Sequence, residues 1–375
     1  MNRTRHLDQL NELLGDFPIV AILGARQVGK TTLAKELSEQ RNLSHFFDLE
    51  DPTDQAQLQN PKLVLEPLEG LIILDEIQLM PELFSLLRVL ADRPKHNARF
   101  LILGSVSPEL IKGASESLAG RIAFHELHGF DLSEINNAKK LHLRGGFPRA
   151  YLAKSEPASM RWREQFIRTY LERDLPQLGI KIPSAAIRRF WTMLAHFHGQ
   201  TWNGSELARS LGTTDPTVKK YLGILTHTFM AFSLQPWHEN LKKRQVKAPK
   251  VYLSDTGLLH SLLSIETFDQ LLSHPKVGAS WEGFAIRQII NQKQTKNAYF
   301  WGTHGGAELD LLLFEKGKRI GYEFKFSETP KTTKSMHSAI ADLSLDHLYI
   351  VHPGEHAFPI SDKISATPLQ SIPHS

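Results

Sequence analysis

Gly24-Ala25-Arg26-Gln27-Val28-Gly29-Lys30-Thr31, followed by Thr32, fits the pattern G-x-x-x-x-G-K-[ST]. The chemistry this spacing serves is the grip of a polyphosphate. Glycines let the chain curl until successive backbone N–H groups face phosphate oxygens, and a helix starting at the lysine adds partial positive charge from its N-terminus. Lys30 is then placed for the β and γ phosphates and the Thr31 hydroxyl for Mg²⁺, so ATP with Mg²⁺ is the expected cofactor. Downstream, Leu71-Ile72-Ile73-Leu74 ends in Asp75-Glu76. Acids at the C-terminal end of a buried strand stand where a parallel sheet meets its ligand. Asp75 is expected to hold Mg²⁺ through water, and Glu76 to polarise the attacking water as general base. Phe100-Leu101-Ile102-Leu103 likewise ends in Gly104-Ser105, which makes Ser105, and after it Ser107, candidates to sense the γ-phosphate. Arg121 is a candidate to supply positive charge to phosphate, in its own subunit or a neighbour's. A solvated surface arginine is the alternative.

A second set of acids lies toward the other end. Glu308-Leu309-Asp310-Leu311-Leu312-Leu313-Phe314 and Arg319-Ile320-Gly321-Tyr322-Glu323-Phe324-Lys325-Phe326 flank Glu315-Lys316-Gly317-Lys318. With Lys316-Gly317 as a two-residue loop, the hairpin sets Asp310 opposite Glu323 and Glu308 opposite Lys325, all on one face. Carboxylates facing each other repel unless a proton or cation stands between them. Asp310 with Glu323-x-Lys325 is similar to the D…(D/E)-x-K pattern of metal-dependent nucleases, in which the acids hold Mg²⁺ and the lysine steadies the water or the scissile phosphate. Leu309, Leu311, Leu313, Tyr322, Phe324 and Phe326 form the other face and are expected to pack on the core.

The elements that must position these groups are legible as alternating short apolar runs and helical stretches. Expected strands are Ile19 to Leu23, His45 to Leu49, Leu71 to Leu74, Phe100 to Leu103 and Ile122 to Leu127. Expected helices are Lys30 to Gln40, Pro81 to Ala91 and Pro108 to Ser115, and Leu7, Leu10 and Leu14 give the N-terminal segment an apolar stripe. This alternation belongs to a parallel α/β sheet. The turn Arg144-Gly145-Gly146-Phe147-Pro148 ends it, so the expected domains are residues 1–140, a helical middle at 141–260, and a small α/β unit at 261–375.

In the middle, Asn203 to Gly212 reads as a short helix ended by glycine, and Thr214-Asp215-Pro216-Thr217-Val218-Lys219-Lys220-Tyr221 starts a second. That outline is a helix-turn-helix, with Thr217, Lys219 and Lys220 toward a duplex, or else a winged-helix lid packed on the ATPase or a partner. After Trp237, Lys242, Lys243, Arg244, Lys247 and Lys250 stand against Glu239 alone. The stretch is either a DNA-contacting wing or a solvated loop. His196 and His198, two apart on an expected helix, point to nearly opposite sides and cannot share an ion.

Composition bounds these readings. The chain has 375 residues with 41% hydrophobic and 22% charged residues, ample for two or three domains with their own cores. It contains no cysteine, which excludes thiolate metal sites, cysteine nucleophiles and disulfides. A reducing cytoplasm is the expected location, since neither a signal peptide nor a membrane span is visible. The net charge of +4 is small, so a nucleic-acid surface must be local.

Taken together, Gly24 to Thr32, Leu74 to Gln78, Gly104 to Ser107, Ser117 to Arg121, Gly145 to Pro148, Tyr170-Leu171-Glu172-Arg173-Asp174 and Trp281-Glu282 resemble a large family of prokaryotic AAA-like P-loop ATPases with a characteristic C-terminal region of unknown function. The resemblance covers nearly the whole chain. It implies ATP binding and hydrolysis, a winged-helix middle and a restriction-endonuclease-like, PD-(D/E)xK end, in which Glu282 resembles the additional acid. Val106 departs from the small polar residue common in relatives. The function expected is an ATPase whose nucleotide state controls the C-terminal half, acting on DNA. The alternatives are an ATP-regulated nuclease and a nucleotide-switched protein-interaction module, with a homo-oligomer or a protein partner open.

Overall fold

The computed structural model describes residues 3–93, 97–107, 118–241 and 243–373. The chain divides into two compact units, Met1–Gly129 with His227–Phe229, and Phe130–Thr226 with Met230–Ser375. The expected helix at Pro108 to Ser115, and Lys242, lie outside the described residues.

In the first unit five strands, β1 (Ile19–Leu23), β2 (Ser44–Asp48), β3 (Gly70–Asp75), β4 (Ala98–Gly104) and β5 (Ile122–Glu126), form a sheet in the order β2-β3-β4-β1-β5. Every pairing is parallel. β1 is buried along its whole length and β3 almost so, which is why both read as unbroken apolar runs. The N-terminal helix Thr4–Asp16 buries Leu7, Leu10 and Leu14, worth about 1.5–3 kcal/mol each. β2 begins and ends one residue before its expected bounds, and the helix expected from Pro81 runs Leu83–Ala91.

The second unit opens with helices. Ser184–His196, Gly204–Leu211 and Asp215–His227 are interleaved with β6 (Gln200–Thr201) and followed by β7 (Ala231–Pro236) and β8 (Lys250–Leu253). β6 and β7 both pair antiparallel with β8. β7 then pairs parallel with β9 (Ala298–Gly302), so the small sheet runs on into β10 (Glu308–Glu315), β11 (Lys318–Phe324), β12 (His347–His352), β13 (Phe358–Ser361) and β14 (Ile364–Pro368). The result is one mixed nine-stranded sheet, β13-β14-β12-β11-β10-β9-β7-β8-β6.

The β10–β11 hairpin pairs Leu311 with Tyr322 and Glu315 with Lys318, a register in which Asp310 meets Glu323. Lys316 and Gly317 both take positive φ, at 49° and 79°, as a two-residue hairpin loop requires. Leu311, Leu313, Tyr322 and Phe324 pack with Trp281 and Phe284 of the helix Val277–Lys293. Leu309 does not join them. An irregularity against β9 between Leu309 and Leu312 breaks the alternation, and Leu309 packs with Met336 and Leu343 in a second core. Among the described residues no helix is long and apolar enough to cross a membrane.

Candidate functional site

The strand order sets β4 between β3 and β1, so Ser105, just after β4, stands between the acids that end β3 and the loop that follows β1. The loop is curled by two left-handed residues, Gln27 at φ 65° and Gly29 at φ 101°. Gly24 is required by close approach, because a Cβ there would lie 2.0 Å from the Leu127 carbonyl oxygen. Ala25 and Val28 are buried, and Arg26 pairs with Glu50. Thr32 is exposed on the first turn of the helix Lys30–Glu39.

Lys30 donates to the carbonyls of Gly24 and Ala25, each at 3.0 Å. Burial holds its ammonium below the usual lysine range, against the pull of Glu76 and Asp75. The Thr31 hydroxyl donates to Asp75 Oδ2 at 2.6 Å. Burial pushes the Asp75 carboxyl up, and that hydrogen bond opposes the push. A hydroxyl and a carboxylate in contact beside the phosphate loop are an all-oxygen pair that fits Mg²⁺, which takes one or two protein oxygens and completes its shell with phosphate and water.

Glu76 is left-handed, at φ 56°. Its carboxylate accepts from Ser105 Oγ at 3.2 Å and from the Gln78 amide, which also donates to Ser105 at 3.1 Å. Gln78 was not singled out by its type, yet its place three residues after Asp75 brings it back over the acid. Arg3 is a second group without a sequence signal. It is buried and donates to the carbonyls of Val28 at 3.0 Å and His128 at 2.9 Å, tying the N-terminal helix to the loop. Ser107 is engaged elsewhere, 2.9 Å from His227 Nδ1.

Arg121 is a correction to any role on the phosphate of its own chain. It precedes β5, and its carbonyl accepts from Ile19 at the start of β1, the sheet edge opposite the loop. A five-residue strand separates the two edges by about 16 Å. The guanidinium pairs with Asp92 at 2.5 and 2.8 Å.

In the second unit the predicted acids do converge, around a group assigned elsewhere. Lys250, read in the sequence as part of a basic loop, lies on β8 with its side chain turned inward and only 6% exposed. It meets Glu282 at 3.1 Å, Asp310 at 3.5 Å and Glu308. Tyr252, two residues on and on the same strand face, donates to Glu282 at 2.6 Å. Glu282 reaches this point because its helix packs closely on β8 and His198, where a Cβ on Gly283 would come within 2.2 Å of His198 Nε2. Asp310 accepts from the Phe324 amide at 3.1 Å, and Lys325 donates to Glu323 at 3.1 Å.

Burial, and next the charge of Asp310, push Glu282 up to about 7 and Glu323 up to about 8. Burial acts to lower Lys250, but the acids around it, Glu282 foremost, overcome that and hold its ammonium well above the usual range. The cation demanded by facing carboxylates is therefore an ammonium of the chain itself. This corrects the expected metal set: Glu282, Asp310 and Glu323 are neighbours, yet among the described residues no group of three or more acids or histidines is arranged to hold an ion.

Of the residues expected to face DNA, Lys219 and Lys220 are exposed while Val218 between Thr217 and Lys219 is buried, as the helical period requires. Lys219 pairs with Asp215 at 2.8 Å. Lys243 pairs with Asp342 at 2.6 Å, and Arg244 is exposed. His196 is exposed and His198 buried, the latter accepting from the Leu253 amide at 3.0 Å.

Comparison with known proteins matches three family descriptions along the chain. These are AAA domain at residues 16–136, Domain of unknown function (DUF8612) at 135–269, and Domain of unknown function (DUF4143) at 277–372. Uncharacterized protein Rv2008c of Mycobacterium tuberculosis is 47% identical over 366 residues, covering 97% of this chain and 83% of the relative. Uncharacterized protein Mb2031c of Mycobacterium bovis matches with the same figures. Among solved structures, the Walker-type ATPase paby2304 of Pyrococcus abyssi aligns with a TM-score of 0.48 at 17% identity, over 70% of this chain and 95% of that one.

Proposed function

We propose, from the premise that the chain belongs to the family of these two uncharacterized mycobacterial proteins and matches an AAA domain at residues 16–136, that it is an Mg²⁺-dependent ATPase whose nucleotide state governs a DNA-engaging C-terminal half. One observation carries the reading: the Thr31 hydroxyl lies 2.6 Å from Asp75, with Glu76 beside them held by Ser105 and Gln78. Thr31 and Asp75 are the residues that would hold Mg²⁺, which when bound supplies charge neutralisation to the β and γ phosphates. Lys30 exchanges its carbonyl partners for phosphate oxygens, the loop amides fix the chain of phosphates, and Glu76 orients and deprotonates the attacking water. Ser105 and Gln78 set the direction in which Glu76 points.

A winged helix is supported by the order helix, β6, helix, helix, β7, β8, with a basic connection between β7 and β8. Lys219, Lys220 and Arg244 then offer phosphate contacts. A second reading, cleavage by a PD-(D/E)xK-like centre at Glu282, Asp310, Glu323 and Lys325, is supported by the hairpin register alone and requires a metal ion to displace the Lys250 ammonium from Glu282 and Asp310. Labelled single-stranded and duplex DNA incubated with the protein and Mg²⁺ or Mn²⁺ tests it, and retained cutting by Asp310→Ala would dismiss that centre.

The deciding experiment for the main reading is ATP turnover with and without single-stranded, duplex and branched DNA. Stimulation by one of these, and loss of calorimetric ATP binding in Lys30→Ala, are expected. An unchanged titration in that variant removes the site.

A further inference from the structure

Arg3 precedes the N-terminal helix Thr4–Asp16 and lies ahead of the stretch that matches an AAA domain, yet it enters the fold as a buried guanidinium, 7% exposed. Arginine is seldom buried, and when it is its N–H groups need acceptors. The fork finds two backbone carbonyls that the sheet brings together: Nη1 donates to Val28 at 3.0 Å and Nη2 to His128 at 2.9 Å. Val28 directly precedes Gly29 of the phosphate loop. His128 follows Leu127, whose carbonyl leaves no room for a side chain at Gly24 and whose amide donates to Leu23 at 2.7 Å. One guanidinium thereby ties the closing end of the loop to the strand end that abuts its opening glycine.

The bond to Val28 has a consequence one residue on. In a trans peptide the carbonyl and the N–H that follows it point in opposite directions. With the Val28 oxygen drawn back to Arg3, the Gly29 N–H is turned away from Arg3. Gly29 stands at φ 101°, a conformation that only glycine adopts readily, and the same freedom would let an unanchored peptide before it rotate. His6, on the same helix, adds a second tie, its Nδ1 lying 2.9 Å from Nε2 of His125 on β5. Burial, and next the charge of Arg3, hold His6 at about 2 and His125 at about 4, so both rings are neutral at pH 7.

We infer that Arg3 is a positioning residue for the nucleotide: by holding the Val28 carbonyl it fixes the Gly29 N–H on the phosphate side of the loop, where it donates to the β-phosphate of ATP or ADP. The inference rests on the ATP-site reading and deepens it, assigning part of the phosphate grip to a residue more than twenty positions upstream of the motif. A donor set in place before the ligand arrives needs no reorganisation when it binds, whereas a freely rotating peptide must first be ordered. The carbonyl bonds, each from a charged donor, are of the stronger kind and suit that task.

The test measures ADP binding by calorimetry and ATP turnover on the full chain and on Arg3→Met, Arg3→Lys and Leu10→Val. The first removes the fork, the second keeps the charge without the planar fork, and the third loosens the same helix at a buried position away from the loop. Arg3→Met is expected to weaken ADP about ten- to a hundredfold, the usual worth of one hydrogen bond to a charged group. KM for ATP rises with it while kcat changes less than about threefold, because the β-phosphate is gripped alike before and during transfer. Arg3→Lys is expected to weaken ADP by a smaller factor, above about twofold, and Leu10→Val by less than that. An equal loss in Leu10→Val and Arg3→Met makes the effect one of helix packing and overturns the inference. So does a fall in kcat at constant KM. ADP affinity unaltered in Arg3→Lys overturns it as well, and that variant decides the matter should Arg3→Met not fold. These results leave the ATP site standing; an unaltered chain that binds no ADP removes the site, and the inference with it.

Discussion

Replacing Lys250 by Met removes a buried ammonium from among Glu282, Glu308 and Asp310 while nearly keeping its volume. At 3.1 and 3.5 Å, and an effective dielectric constant near 20, the Lys250 attractions to Glu282 and Asp310 are each worth about 5 kcal/mol before the cost of burying the charges is subtracted. Loss of one partner of such a buried set typically leaves a net destabilisation of about 3–5 kcal/mol. The effect must depend on pH. Glu282 and Glu323 titrate near 7 and 8 in the folded chain, above the usual value of 4.5. Stability that comes from their raised values is fully present below pH 4.5 and is lost as pH rises through 7 and 8. Without the ammonium the Glu282 value rises further, so for that acid the loss continues above pH 7 at up to about 1.4 kcal/mol per pH unit. All six tryptophans lie in the second unit, so urea unfolding followed by tryptophan fluorescence reports that unit alone. Lys250→Met is expected to shift the unfolding midpoint more at pH 8 than at pH 5, where Glu282 holds its proton, and Glu282→Gln in the same chain is expected to restore part of the loss. Equal midpoints at pH 8, or strictly additive effects of the two changes, would refute the charge-compensation argument.

Glu76→Gln is expected to keep ATP affinity and lower turnover by about 10²- to 10⁴-fold, the usual contribution of a general base; turnover within a factor of three would exclude that role. Lys219→Ala and Lys220→Ala are each expected to reduce the salt dependence of DNA binding by about one unit in the slope of log K against log salt, measured by anisotropy from 50 to 300 mM. Unchanged slopes would place the duplex elsewhere. Arg121→Ala is expected to leave calorimetric ATP affinity unaltered, because the side chain is paired to Asp92 at the far edge of the sheet; a tenfold weaker titration would contradict that placement.

The phosphate loop, its flanking strand and helix, and the acids that end β3 were legible because each depends on local pattern. A fully apolar strand, a glycine-bounded bend and a helix start are dictated within about fifteen residues, and the parallel class follows from their alternation. The β10–β11 register was likewise fixed by a two-residue loop and a period of two. Lys250 could not be placed that way. The basic residues before it, Lys243, Arg244 and Lys247, are exposed, and only the pairing of β8 and the close helix packing at Gly283 turn Lys250 into the acids. The same holds for Arg3 on the loop carbonyls and Arg121 at the wrong sheet edge. Sequence order determined which chemical groups this protein owns and which short elements carry them. Tertiary structure decided which groups meet, because interactions between groups 125 residues apart, as in the Arg3 to His128 contact, are set by strand order and packing and leave no periodic trace in the chain.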